Sequence, residues 1–200
     1  MPYHTTDTIQ SSAPRALARP GGLARPDVAG ASLHPRPALA GLLDQRLSPH
    51  FTLYPFLVSQ QAARLGLDNT PPAYAISNLK LLALNLLEAI HAQFSRRGEL
   101  TITSGYRSAG LNRLISGSPH SQHLRGQAAD FYLQTGKSTR MEVPLLEVFD
   151  WVRHSSLLYD QLILEFPESG GWLHISYASP SRGQALVAHR RDGKVIYEAV

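Results

Sequence analysis

The residues of this 200-residue chain that could do chemistry concentrate in one stretch, Ser121-Gln122-His123-Leu124-Arg125-Gly126-Gln127-Ala128-Ala129-Asp130. A histidine and an aspartate seven positions apart are joined by a turn containing Gly126, and the aspartate opens a strand. Strand alternation puts Asp130 and Tyr132 on one face and Ala129, Phe131 and Leu133 on the other. Asp130 therefore points away from the apolar side. Farther on, Trp172, His174 and Ser176 share one strand face, opposite Leu173, Ile175 and Tyr177. Two imidazoles and one carboxylate from three short elements give zinc three protein ligands and leave a fourth position open. His120, three residues before His123, competes for the same role. The remaining six of the nine histidines (His4, His34, His50, His91, His154 and His189) have no carboxylate or glycine context and read as surface or structural.

Several other chemistries are excluded by residue type. With no cysteine, the chain has no disulfide scaffold, thiolate zinc finger, iron–sulfur cluster or cysteine nucleophile. No Gly-x-Ser-x-Gly elbow marks a nucleophilic serine. A hydrophobic fraction of 43% with 17% charged residues is a globular composition. The net charge of +4 comes mostly from scattered arginines, in runs no longer than the pairs Arg96–Arg97 and Arg190–Arg191. A nucleic-acid binder concentrates such charge in a stripe, so no nucleic-acid partner is expected, only a mild preference for an anionic surface such as a cell wall. No stretch approaches the roughly 20 apolar residues of a membrane span. No basic segment followed by an apolar one opens the chain, so synthesis in the cytoplasm without a secretory signal is expected.

The elements that must position the candidate ligands are legible around them. Residues 1–46 hold six of the fourteen prolines and repeated Arg-Pro steps (Arg19-Pro20, Arg25-Pro26, Arg36-Pro37). That pattern reads as a flexible leader, with one helical turn near Ala40–Leu43. The folded domain is expected over 47–200. Ser59 caps a short helix, Gln60–Leu65, and a long helix runs from Ser77 to Phe94 with Leu79, Leu82, Leu86 and Ile90 on its buried stripe. Leu100–Thr103 reads as a strand, Ser108 as the cap of a helix to Ile115, and Ala129–Leu133 as a second strand. Pro144 opens a helix to His154. Gln161–Phe166 and Trp172–Tyr177 form one hairpin, and Ala185–His189 and Lys194–Ala199 another around Arg190-Arg191-Asp192-Gly193. Helices mixed with neighbouring antiparallel strands give an α+β fold.

Five motifs occur in order: Ser-Gly-Tyr-Arg-Ser (104–108), Leu-Asn (111–112), Gly-Ser-Pro-His-Ser-Gln-His (117–123), Gly-Gln-Ala-Ala-Asp (126–130) and Trp-Leu-His-Ile-Ser (172–176). Together they resemble the zinc D-alanyl-D-alanine carboxypeptidase family, which also contains phage L-alanyl-D-glutamate endopeptidases. The resemblance covers about residues 47–199. It implies the small scaffold shared with the Hedgehog signalling domain, a central antiparallel sheet with packed helices. It implies His123, Asp130 and His174 as ligands of one Zn2+ per chain, Arg107 at the substrate end of the cleft, and Ser121 beside the substrate. The implied activity is hydrolysis of an amide bond in peptidoglycan stem peptides by a monomeric enzyme, as a D-Ala-D-Ala carboxypeptidase or an L-Ala-D-Glu endopeptidase. A phage or prophage product, acting on the cell wall or periplasm once released, fits that activity.

The chain departs from the family pattern at one position. Many members carry the general base three residues before the second histidine, as Glu-x-x-His, and here that residue is Gly171. Glu165, at the end of the Gln-Leu-Ile-Leu-Glu strand, and Glu168, in the following turn, are the two substitutes, with Glu165 favoured. A zinc-containing Hedgehog-like module that binds without catalysis is the alternative this departure supports.

Overall fold

The computed structural model describes Leu42, residues 44–134 and residues 143–200. Most of the segment expected as a leader lies outside the described residues, including Ala40, Gly41 and Leu43 of the expected turn. Leu42 packs against the core and Arg46 forms a β-bridge to Thr52.

Helix α1 (Gln60–Arg64) is capped as its sequence predicts, with the Ser59 side chain accepting from the Ala62 N–H. The long helix α2 (Ala73–Phe94) begins four residues earlier than expected, because Pro72 serves as its extended N-terminal neighbour. A proline there forfeits no intrahelical hydrogen bond. The middle of α2, Ala83–Leu87, is π-helical, and Ala83 and Leu87 join Leu79, Leu82, Leu86 and Ile90 as fully buried residues. By length and composition α2 would suffice to cross a bilayer, which corrects the reading that no stretch comes near that size. Its buried residues pack in one core with Phe131, Leu133, Leu173 and Ile175 of the sheet. Each leucine, isoleucine or phenylalanine among them contributes about 1.5–3 kcal/mol when fully buried.

The sheet comprises β1 (Glu99–Ser104), β2 (Ala128–Gln134), β3 (Gln161–Glu165), β4 (Trp172–Ser176), β5 (Gln184–Arg191) and β6 (Lys194–Ala199). Their spatial order is β1-β2-β4-β3-β5-β6, with helices α3 (Ala109–Leu114) and α4 (Leu145–His154) in the connections. Ser108 caps α3 as expected, accepting from the Leu111 N–H, whereas Pro144 precedes α4 instead of forming its first residue. The fold is a mixture of helices and one sheet, as an α+β reading requires. The sheet itself is mixed: β3 and β5 run parallel and every other pair antiparallel. Strand β5 reaches Arg191, two residues past its expected end. The turn shrinks to Asp192 and Gly193, with φ of 51° and 74°, the conformation a tight two-residue hairpin demands.

Alternation sorts the sheet into two faces. Phe131, Leu133, Leu162, Leu164, Leu173 and Ile175 enter the main core. The other face carries Asp130, His174, Ile163 and Leu186 in one register row, and Trp172, Glu165, Ala188 and Tyr197 in the next. Ile163, Leu186 and Ala188 form a small second cluster there, packed by Val195 and Tyr197.

Candidate metal centre

Asp130 and His174 are direct cross-strand partners on β2 and β4, so register alone brings them together. His123 arrives from a 3-10 turn, Gln122–Arg125, that Gly126 closes at φ 66°. A Cβ at Gly126 would also enter the Ala75 backbone, so two constraints require glycine there. The Gly105-Tyr106-Arg107 turn lies against the same site. Asn69 braces it, donating to the carbonyls of Leu57 and Tyr106 at 2.9 and 3.2 Å and accepting from the Ser108 N–H at 2.8 Å. At Gly105 a Cβ would stand 2.6 Å from Phe56, closer than any side chain tolerates.

The three donors converge and are all buried, with ligating atoms within 4.8 Å of one another. His174 Nδ1 stands 2.8 Å from Asp130 Oδ1, His123 Nε2 stands 3.2 Å from that same oxygen, and the two ring nitrogens lie 3.3 Å apart. His123 Nδ1 donates to the Gly105 carbonyl at 2.6 Å, and because a carbonyl only accepts, Nε2 is left with its lone pair turned inward. Burial holds the His123 pKa down, keeping the ring neutral. Despite burial, which alone would raise it, Asp130 stays well below the usual carboxylate range because the His123 and His174 rings and the Arg107 guanidinium surround it. An inward lone pair on neutral imidazole beside an ionised carboxylate is a donor set that fits a small dication. His120 is exposed on the cleft wall and is not one of the converging group.

A cleft of about 730 Å3 opens over these residues. Arg107, Ser121 and Glu165 all line it. Arg107 donates from Nη2 to Asp130 Oδ2 at 2.6 Å and from Nε to the Ser104 hydroxyl at 2.9 Å, so much of its fork orients Asp130. Ser121 sits at the entrance of the 3-10 turn, its carbonyl accepting from the Leu124 N–H. Glu165 occupies the row beside His174, paired in register with Trp172, and is half-buried. Desolvation, and secondarily the charge of Asp130, raise its pKa to about 7. Glu168 does not line the cleft. It is exposed on the Pro167–Ser169 turn, 3.5 Å from His189 Nδ1.

The chain matches the family model described as Peptidase M15 over residues 49–159. It belongs to the Peptidase M15 family. This is a family of zinc peptidases that includes D-Ala-D-Ala carboxypeptidase-like members, so the chain is a metallopeptidase by descent and carries a metal-capable His–Asp–His group. No curated protein matches it. The M15 match contains His123 and Asp130 but ends before Glu165 and His174, which the sheet register supplies.

The geometry explains why this M15 chain has glycine where many members carry glutamate. A Cβ at position 171 would collide with the carbonyl oxygen of Glu165 and crowd that of Phe166. Phe166 itself takes a left-handed conformation, φ 52°, which a bulky residue before proline rarely adopts. The backbone of Glu165 and Phe166 thus fills the space a side chain at position 171 would need. Sequence reading also missed Asp160, whose carboxylate accepts from Gln122 Nε2 at 2.8 Å and from Arg182 Nη2 at 2.5 Å. This buried hub ties the His123 turn to the loop after β4. Its only signal was a lone aspartate immediately before an apolar strand.

Proposed function

We propose that this chain is a zinc-dependent peptidase of the Hedgehog/DD-peptidase fold that hydrolyses an amide bond in peptidoglycan stem peptides, reaching the cell wall after release. The observation that carries this reading is the convergence of His123, Asp130 and His174 on the floor of the cleft, with a titratable carboxylate, Glu165, in the adjoining row. Zinc held by those three residues would supply Lewis-acid polarisation of the scissile carbonyl and acidify a water. Glu165 takes the proton of the attacking water and returns it to the leaving amine, a role its pKa of about 7 suits. Arg107 holds the second oxygen of Asp130 and keeps its remaining N–H donors for the substrate. Ser121 offers its hydroxyl from the cleft wall.

Glycine at position 171 favours one other reading, a zinc module that binds cell-wall peptides without cutting them. Metal content of untagged protein, paired with peptidoglycan digestion followed by mass spectrometry, separates the two. One zinc per chain with new stem-peptide fragments supports the enzyme, and the fragment masses name the bond. Zinc without fragments supports the binding module. Absence of zinc overturns both.

A further inference from the structure

The cleft is lined by four guanidinium groups, and three have polar partners. Arg107 donates to Asp130, Arg182 to Asp160, and Arg125 to the Gln127 side-chain carbonyl at 2.7 Å. The fourth, Arg190, has no carboxylate partner for its guanidinium among the described residues. It lies instead with Cζ 4.9 Å from the centre of the Phe166 ring. Phe166 in turn meets Trp172 edge-on at 5.4 Å. Strand alternation decides where Arg190 points. Leu186 and Ala188 face the cleft side of the sheet, and Arg190 follows them four and two residues on, opposite Val195. Ala188 sits beside Glu165, and the Phe166 N–H donates to the Ala188 carbonyl at 2.9 Å. The strained φ of Phe166 therefore places an aromatic platform directly after the candidate base, under a cation one row farther along. The backbone N–H of Arg190 is held by Glu168, which gives that exposed carboxylate a positioning role outside the chemistry.

We propose that Arg190, laid on Phe166, is a substrate-recognition residue that binds a carboxylate of the peptide lying across the cleft. This rests on the peptidase reading and deepens it, assigning one substrate carboxylate to the β5–β6 hairpin. Stacking on the ring restricts the guanidinium and leaves its planar fork facing a carboxylate. Stem peptides offer two such groups, the α-carboxylate of D-Glu and the terminal D-Ala carboxylate.

The test compares the pentapeptide L-Ala-γ-D-Glu-L-Lys-D-Ala-D-Ala with its two monoamides, each lacking one carboxylate, on wild type, Arg190→Gln and Arg190→Lys. Amidation of one carboxylate should raise the wild-type KM about tenfold and that of Arg190→Gln less than about twofold, with kcat little changed. Arg190→Lys should fall between them. Which monoamide shows the effect identifies the carboxylate. An equal loss by Arg190→Gln on all three peptides, or an amidation effect that persists in full, overturns the assignment. Should wild type cleave none of them, the peptidase reading fails separately. Calorimetric titration of the same peptides into zinc-loaded protein then decides the point. An affinity gap between acid and amide that vanishes in Arg190→Gln supports the proposal, and no gap or no binding overturns it.

Discussion

Two glutamates three residues apart meet very different surroundings, and those surroundings separate their roles. Glu165 is half-buried beside His174, whereas Glu168 is exposed beside His189 and keeps a lowered pKa through backbone hydrogen bonds. Glu165→Gln should lower kcat by about 10²–10⁴ with zinc content unchanged, while Glu168→Gln should retain kcat within about twofold. Hydrolysis of a stem peptide followed by chromatography, with metal analysis of the same samples, checks both. Catalysis as a base needs the ionised carboxylate, so activity should rise with pH through the pKa of Glu165. That value is about 7 without a metal charge nearby, and a bound dication can only lower it. The acid limb of the pH–kcat/KM profile should therefore lie at or below pH 7, and Glu165→Gln should not show it. His174→Ala removes one of three donors and should abolish stoichiometric zinc, read by elemental analysis.

At the scale of elements, the turn from Glu165 to Gly171 decides whether the candidate base reaches the site. Gly171→Ala adds a methyl where the Glu165 carbonyl stands, so β3 and β4 must shift apart locally. The expected cost is at least about 2 kcal/mol, together with a loss of kcat as Glu165 is displaced. Thermal melts and hydrolysis rates measure the two effects, and a variant as stable and active as wild type would remove this account of the missing Glu-x-x-His. Asn69 braces the turn that carries Arg107, satisfying three backbone groups from two separate segments. Asn69→Ala leaves those groups in a buried setting without partners, and stability should fall by about 2–4 kcal/mol in a denaturant titration.

At the scale of the whole molecule, one charge pair joins the segment entering β3 to the loop after β4, and through Gln122 to the His123 turn. Asp160 is held below the ordinary carboxylate range, chiefly by the hydrogen bond from Arg182. A carboxylate with a depressed folded-state pKa stabilises the fold above its unfolded-state pKa, near 3.9, and that contribution is lost as pH falls toward the folded value. Asp160→Asn should therefore lower the melting temperature at pH 7 and flatten its decline between about pH 5 and pH 3, as differential scanning calorimetry would show. Metal linkage acts on the same scale. Zinc at 100 times its dissociation constant should add about 2.7 kcal/mol, which a chelator removes with a matching fall in melting temperature.

The chain alone disclosed whatever depends on local order and residue type. Helix α1 and its Ser59 cap, the Ser108 cap, the buried stripe of α2 and the faces of β2 and β4 all follow from period and capping chemistry, which act within a few residues. Alternation aims Asp130 and His174 and a glycine turn allows His123, but His120 is an equal candidate on spacing, and it is the family resemblance that singles out the set. What only the tertiary structure decided involves contacts between segments distant in sequence. The parallel pairing of β3 with β5, the burial of Asp160 against Arg182, the seat of Glu165 beside His174 and the exclusion of a side chain at Gly171 are of this kind. Arg190 is the clearest case. It reads as a turn residue because Asp-Gly follows two positions on, yet it belongs to β5, where pairing with Val195 turns it onto the cleft face. Hydrogen-bond register across strands, which no local propensity encodes, made that choice.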